Sequence, residues 1–287
     1  MKSMYRHKNN FACFLLGCLI VLGCNNAAQY KSPAGYDINK PEKFLMPQSL
    51  KEISGIAFLK GNSDTIYAIE DEDGKLYFFS PGTEKTSYSK FGKKGDYEDV
   101  TVLNINTFAV LKSNGSLSLF PTTEIGKEKI DSVQEYENIL PKGEYEGLFA
   151  ADSKLYALCK NCSGDKEENE VSIYMLEATV GGGLSVAGSF KIDLSMIQPE
   201  EGKGKMKFHP SCIAKNPVTQ EWYIISSVNK MLLVLDAQWR IKEYFPLDPA
   251  LFKQPEGMAF NAKGDMYISN EGGDGTANIL LFKYGTN

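Results

Sequence analysis

Histidine is almost missing from this chain of 287 residues, with His7 and His209 as its only copies. A histidine-rich metal cluster is thereby excluded, and a Ser-His-Asp relay would have to run through one of the two. Positive charge is also short. There are 31 Lys and Arg residues against 36 Asp and Glu, a net charge of −5. That balance argues against a general nucleic-acid binder, which needs a basic surface to displace counterions, so no nucleic-acid partner is expected. No GxSxG nucleophile elbow and no phosphate-cradling glycine loop occurs in the sequence. The lone CxxC, Cys159-Lys-Asn-Cys162, cannot by itself supply four zinc ligands. What remains is ordinary: 43% hydrophobic and 23% charged residues, the composition of a folded globular chain.

The first residues read as an address. Lys2, Arg6 and Lys8 precede an apolar run over 11–23. At about 13 residues that run is too short to cross a bilayer and has the size of a signal-peptide core. It ends Val21-Leu22-Gly23-Cys24, which resembles a bacterial lipobox with Cys24 as the lipidated residue. Leu15-Leu16-Gly17-Cys18 also fits, but leaves a very short apolar region. Residues 1–23 are therefore expected to be a lipoprotein signal peptide, and the polar stretch 24–35 a lipid-anchored tether. Removal of 1–23 leaves 28 basic against 36 acidic side chains, a net charge of −8. The expected location is the bacterial cell envelope, anchored to the plasma or outer membrane outside the cytoplasm. Asn25-Asn26 lacks the aspartate that would suggest inner-membrane retention in some bacteria.

The body repeats. One phrase recurs as EISGIA (52–57), DYEDVT (96–101), EYEGLF (144–149), HPSCIA (209–214) and QPEGMA (254–259). The third residue of each is Ser54, Glu98, Glu146, Ser211 and Glu256, at spacings of 44, 48, 65 and 45. A second phrase follows each first one, an aromatic residue opening a strand–turn–strand signal: Tyr67, Phe108, Tyr156, Tyr223 and Tyr267. A period in the mid-forties with about four strands per unit predicts an all-β fold, a single β-propeller over 36–287. Five copies predict five blades. Six is the fallback and needs about 40 further residues, a blade's worth, that are not found. The fifth copy stops after three strands, so the segment 36–46 is expected to supply its outer strand and close the ring. Residues 190–193 and 241–245 look like outer fourth strands. The long interval holds an acidic loop, 164–170, and a second insertion, 199–205.

These phrases, with IEDEDGKLY (69–77) and NAKGDMYISNEGG (261–273), resemble the SdiA-regulated family of bacterial β-propellers. The likeness covers nearly all of the chain after Tyr36. It implies a propeller of the cell envelope with a bound calcium ion, and names no activity.

If the first phrase opens the innermost strand of each blade, Ser54, Glu98, Glu146, Ser211 and Glu256 ring the central channel. Carboxylates that close raise one another's pKa and need a proton, a basic side chain or a cation between them. Oxygen ligands of this kind suit Ca²⁺. The alternatives are equally physical. Lys51, Lys94, Lys142, Lys207 and Lys253 precede the five anchors and are candidates to neutralise the carboxylates. The glutamates can also simply accept strand-start hydrogen bonds. Asp71-Glu-Asp-Gly74 resembles the start of a calcium loop but lacks its later glutamate, and a tight turn explains it. Cys159 and Cys162 are candidates for a local disulfide, and Cys212 for a buried small apolar residue.

Two functions compete. One is a non-catalytic envelope module, monomeric and membrane-anchored, that presents its channel mouth to a peptide, a glycan or a partner protein. The other is a Ca²⁺-dependent hydrolase of phosphoesters or lactones, with Glu98, Glu146 and Glu256 on the ion and His209 as proton carrier. The lack of a clear catalytic constellation ranks binding first.

Overall fold

Short runs of alternating apolar residues, punctuated by Gly, Asn and Asp, fold as strands and tight turns. The computed structural model describes residues 1, 29–163, 169–197 and 207–285. The signal peptide, Cys18, Cys24, most of the tether and most of both insertions lie outside the described residues. Among the described residues, helix is confined to three 3-10 turns.

The chain enters at β1 (Glu42–Leu45) and then builds four complete sheets. Blade one is β2 (Ile53–Ala57), β3 (Ile66–Glu70), β4 (Lys75–Phe79) and β5 (Ser87–Lys90). Blade two is β6 (Tyr97–Leu103), β7 (Thr107–Lys112), β8 (Leu117–Pro121) and β9 (Gln134–Tyr136). Blade three is β10 (Gly143–Ala151), β11 (Lys154–Cys162), β12 (Glu170–Ala178) and β13 (Leu184–Asp193). Blade four is β14 (Cys212–Lys215), β15 (Trp222–Ser226), β16 (Met231–Leu235) and β17 (Ile241–Pro246). Blade five is β18 (Pro255–Phe260), β19 (Met266–Asn270) and β20 (Asn278–Phe282), completed by β1.

The fold is thus a five-bladed β-propeller. β1 pairs antiparallel with β20, Glu42 opposite Leu281 and Leu45 opposite Asn278, so the first and last strands of the propeller share one sheet. That covers the edge β20 would otherwise expose. Tyr36 anchors this closure. Its hydroxyl donates to the Gly264 carbonyl at 2.6 Å and accepts from Asn216 Nδ2 at 2.7 Å. Burial raises its pKa far above the usual phenol value. The fourth strand of blade three is longer than 190–193: it begins at Leu184, because the turn before it (179–183) is a tight hairpin closed by Thr179 N–H on the Gly183 carbonyl.

The inner strands β2, β6, β10, β14 and β18 each touch the next, and β18 touches β2, closing the ring. The core lies between blades. Ile225, Leu232 and Phe245 of blade four pack on Met258, Ile268 and Leu280 of blade five. Each such burial contributes about 1.5–3 kcal/mol. Trp222 and Trp239 stack at 4.3 Å between blades three and four. Around the axis the backbones come closer than side chains allow. A Cβ at Gly257 would lie 2.4 Å from the Ser54 carbonyl oxygen, and one at Gly55 would lie 2.3 Å from Asp99 Oδ1. The glycine of the repeated phrase is therefore a packing requirement of neighbouring inner strands. Asp99, 3% exposed, accepts the backbone N–H groups of Val100 and Leu148, both at 2.8 Å, and so ties β6 to β10.

Candidate functional site

Four of the five anchor residues sit at breaks in strand register. Pairing in β6–β7 passes from Tyr97 to Asp99, skipping Glu98. In β10–β11 it passes from Tyr145 to Gly147, skipping Glu146. In β18–β19 it skips Glu256, and in β2–β3 it skips Ser54 and Gly55. A bulge leaves an extra residue unpaired and re-aims its side chain. In blade four, Ser211 lies just before β14 and its hydroxyl accepts the Ser227 N–H at 3.1 Å.

All five anchors line one cavity of about 470 Å³ at the channel mouth. A second ring, not anticipated from the sequence, joins them: Asp71, Ser113, Lys160, Ser227 and Glu271. The antiparallel hairpin explains it. The second strand of each blade ends opposite the start of the first, as Asn270 lies opposite Pro255 and Lys112 opposite Tyr97. Four of these residues stand four places after the aromatic that opens the second phrase, and Ser113 stands five after Phe108. That offset was the available signal. Asp96, Glu144, Gln254, Lys230, His209 and Val228 complete the lining.

The mouth is short of positive charge. Burial first, then Glu146, Asp96 and Glu256, push the Glu98 carboxyl up to about 9. Burial raises Glu146 to about 7, although Lys160 opposes it. Glu256 is also raised by burial, against hydrogen bonds from the Ser227 and Ser211 side chains. Glu271 rises to about 8 through burial, a hydrogen bond to the Glu52 carboxyl group and the nearby Glu256. Burial and the cations Lys207 and Lys160 lower the His209 pKa, favouring neutral imidazole.

The lysine that reaches the anchors is not one of those that precede them. Lys160 Nζ donates to Glu146 Oε1 at 2.7 Å and stands 3.6 Å from Glu144. Lys142, which precedes Glu146, makes no ion pair among the described residues, and Lys94 pairs instead with Glu72 at 3.2 Å. The reason is topological: the preceding lysines lie on loops that enter the blade, whereas Lys160 is on β11, inside the hairpin. Lys160 lies within the disulfide that joins Cys159 to Cys162. Lys230 donates to the carbonyls of Ser227 and Lys253 at the rim. Cys212 is a free, fully buried thiol.

The calcium expectation meets a different set of ligands. Among the described residues, Glu52, Asp71 and Glu271 alone bring three carboxylate oxygens within 4.8 Å of one another. Asp71 Oδ1 is buried there with no hydrogen-bond partner. This all-oxygen set fits a hard divalent cation. Glu98, Glu146 and Glu256 form no such group; they are spread around the channel.

The chain can now be set beside known proteins. No functionally curated protein matches its sequence. Among solved structures, glutaminyl cyclase of Myxococcus xanthus superposes with a TM-score of 0.57 at 12% identity, over 84% of this chain and 94% of that one. A luciferin-regenerating enzyme gives 0.50 at 8% identity, over 85% and 95%. Virginiamycin B lyase of Staphylococcus aureus gives 0.43 at 14% identity, over 80% of this chain and only 66% of the lyase. At such identities the first two likenesses are of fold alone. The family model named SdiA-regulated matches residues 33–273. That match spans most of the propeller, and the chain belongs to the SdiA-regulated family.

Proposed function

We propose that this protein is a non-catalytic binding module, lipid-anchored in the cell envelope through Cys24, whose channel mouth captures a positively charged group. The observation that carries this reading is the convergence of two concentric rings, ten side chains from five blades, on one polar cavity with more carboxylates than cations. A folded scaffold keeps such groups together only where the charge is met by protons, lysines or a ligand. The captured group is a basic side chain or amine of a peptide, an amino sugar of a glycan, or a cation at the surface of a partner protein. Ca²⁺ is the simplest occupant. Glu52, Asp71 and Glu271 would hold it, and it would supply fixed positive charge at the rim.

Calorimetry on the purified chain tests this reading. Ca²⁺ or a lysine-rich peptide binds saturably, and Glu146→Gln together with Glu271→Gln weakens binding by about tenfold or more, as loss of a charged partner at each site implies. Absence of saturable binding by either probe overturns it. The hydrolase reading rests on one specific observation, His209 in the same cavity with its imidazole neutral. It requires turnover of a phosphoester or lactone that EDTA abolishes and His209→Ala cripples.

A further inference from the structure

A second concavity lies outside the channel, between blades one and two. Its volume is about 510 Å³ and its lining is Lys90, Lys93, Lys94, Lys112 and Lys129, with Phe91, Gly92 and the single acid Glu135. Five of the chain's 31 basic residues gather around one pocket of an acidic protein. Of the five, only Lys94 is ion-paired among the described residues, to Glu72. Five like charges around one pocket repel, and Glu72 and Glu135 supply only two opposite charges nearby, so an anionic ligand among them is favoured.

The backbone that carries these lysines is held rigidly. Phe91 N–H and Gly92 N–H both donate to the Gly74 carbonyl, at 2.8 and 3.0 Å, and Gly95 N–H donates to the Glu72 carbonyl at 2.9 Å. The Tyr97 hydroxyl donates to the Lys93 carbonyl at 2.8 Å. A side chain at Gly92 would collide with that hydroxyl at 2.4 Å. On the facing side, Lys90 N–H donates to the Glu128 carbonyl and Ile130 N–H to the Lys90 carbonyl, at 3.0 and 2.9 Å, clipping the Lys129 segment beside Lys90. Lys112 lies over the Tyr97 ring at 5.1 Å. The backbone that carries the ammonium groups is thus fixed, so binding has to order lysine side chains but not the chain that bears them.

We propose that this groove is an anion site that takes a phosphate-bearing ligand. A phosphate spreads two charges over three oxygens, which several ammonium groups can reach at once, and lysine serves as a point-charge binder of such groups. Phe91 and the lysine stems give the apolar lining an organic phosphate would use. The site is separate from the channel mouth and stands whether or not the mouth binds a cation.

The test uses the full chain with Cys24→Ser, so that no acyl group binds vesicles by itself. Inorganic pyrophosphate is titrated by calorimetry at low salt, and sedimentation is measured with phosphatidylglycerol and with phosphatidylcholine vesicles. Lys93→Gln with Lys129→Gln is compared with Lys43→Gln with Lys85→Gln, an equal charge change at exposed positions elsewhere. The expected result is saturable binding that the first pair weakens by about tenfold or more and the control pair by less than about threefold, since each lost charged contact is worth roughly that factor. Pyrophosphate binding alone identifies a soluble phosphate compound. Phosphatidylglycerol binding with the same lysine dependence identifies a lipid headgroup. The site is refuted if neither probe binds, or if the two pairs of substitutions act equally.

Discussion

Four inner strands, β2, β6, β10 and β18, supply both ends of the channel, and the two ends could hardly differ more. At the mouth, the first residues of the inner strands supply carboxylates and hydroxyls around about 470 Å³. At the far end, residues further along those four strands, among them Ile56, Val102, Leu148 and Met258, line about 210 Å³ of mostly apolar space. Within two to four residues each of these strands passes from a polar anchor to an apolar side chain, Ser54 to Ile56, Glu98 to Val102, Glu146 to Leu148 and Glu256 to Met258. The apolar end holds the blades together. The acidic end is tolerated because the rest of the propeller over-determines it, the usual signature of a functional site.

The largest effect should come from erasing that asymmetry. Met258→Glu would place an unpaired carboxylate among apolar side chains and cost about 3–5 kcal/mol. A urea midpoint within error of the parent would show that the far end is not part of the core. Next, opening the Cys159–Cys162 disulfide with paired Ser substitutions should cost about 2 kcal/mol, the loop-closure value for so short a ring, and free Lys160 from Glu146. Its readout is the urea midpoint together with a rise in the Glu146 pKa. The equivalent disruption at the far end has no such charge readout.

The pH profile comes third. Glu98 titrates near 9 when folded and near the ordinary carboxylate value when unfolded. Between those values the folded state holds more protons, so this group's contribution to stability falls as pH rises from about 4.5 to 9. Glu98→Gln should therefore raise the midpoint more at pH 8 than at pH 5. An equal gain at both would mean that the mouth is not electrostatically strained. Fourth, Lys160→Met removes the one cation bonded to an anchor and should tighten Ca²⁺ or lysine-peptide binding several-fold at pH 8, as expected for one uncompensated charge at close range. Smallest of all, Val228→Ala on the mouth rim, an exposed residue, should change stability by less than about 0.5 kcal/mol.

Much of this fold was readable beforehand. The anchors at Ser54, Glu98, Glu146, Ser211 and Glu256 recur because each blade begins the same way, and the missing strand after Tyr284 pointed to the segment around β1 as its replacement. The site was only half readable. Glu271 stands just past the end of a second strand, where its residue type looks like an ordinary turn neighbour, and Asp71 opens a segment that resembles a calcium loop but is explained by a tight turn. Lys160 lies inside a CxxC, a motif whose sequence signal belongs to its cysteines. The lysine groove was invisible, because Lys90, Lys112 and Lys129 belong to different strands and loops.

Local sequence thus determined the strands, the turns, the blade period and which residue opens each blade, since those depend on side-chain alternation and turn chemistry along one short stretch. Only the tertiary structure decided which charges meet. Antiparallel pairing set the second ring against the first, and closure of five blades brought both onto one axis. The packing of blade one against blade two gathered lysines up to 39 residues apart into a single groove. Electrostatics acts through space at a few ångströms, and those distances exist only once the ring is closed.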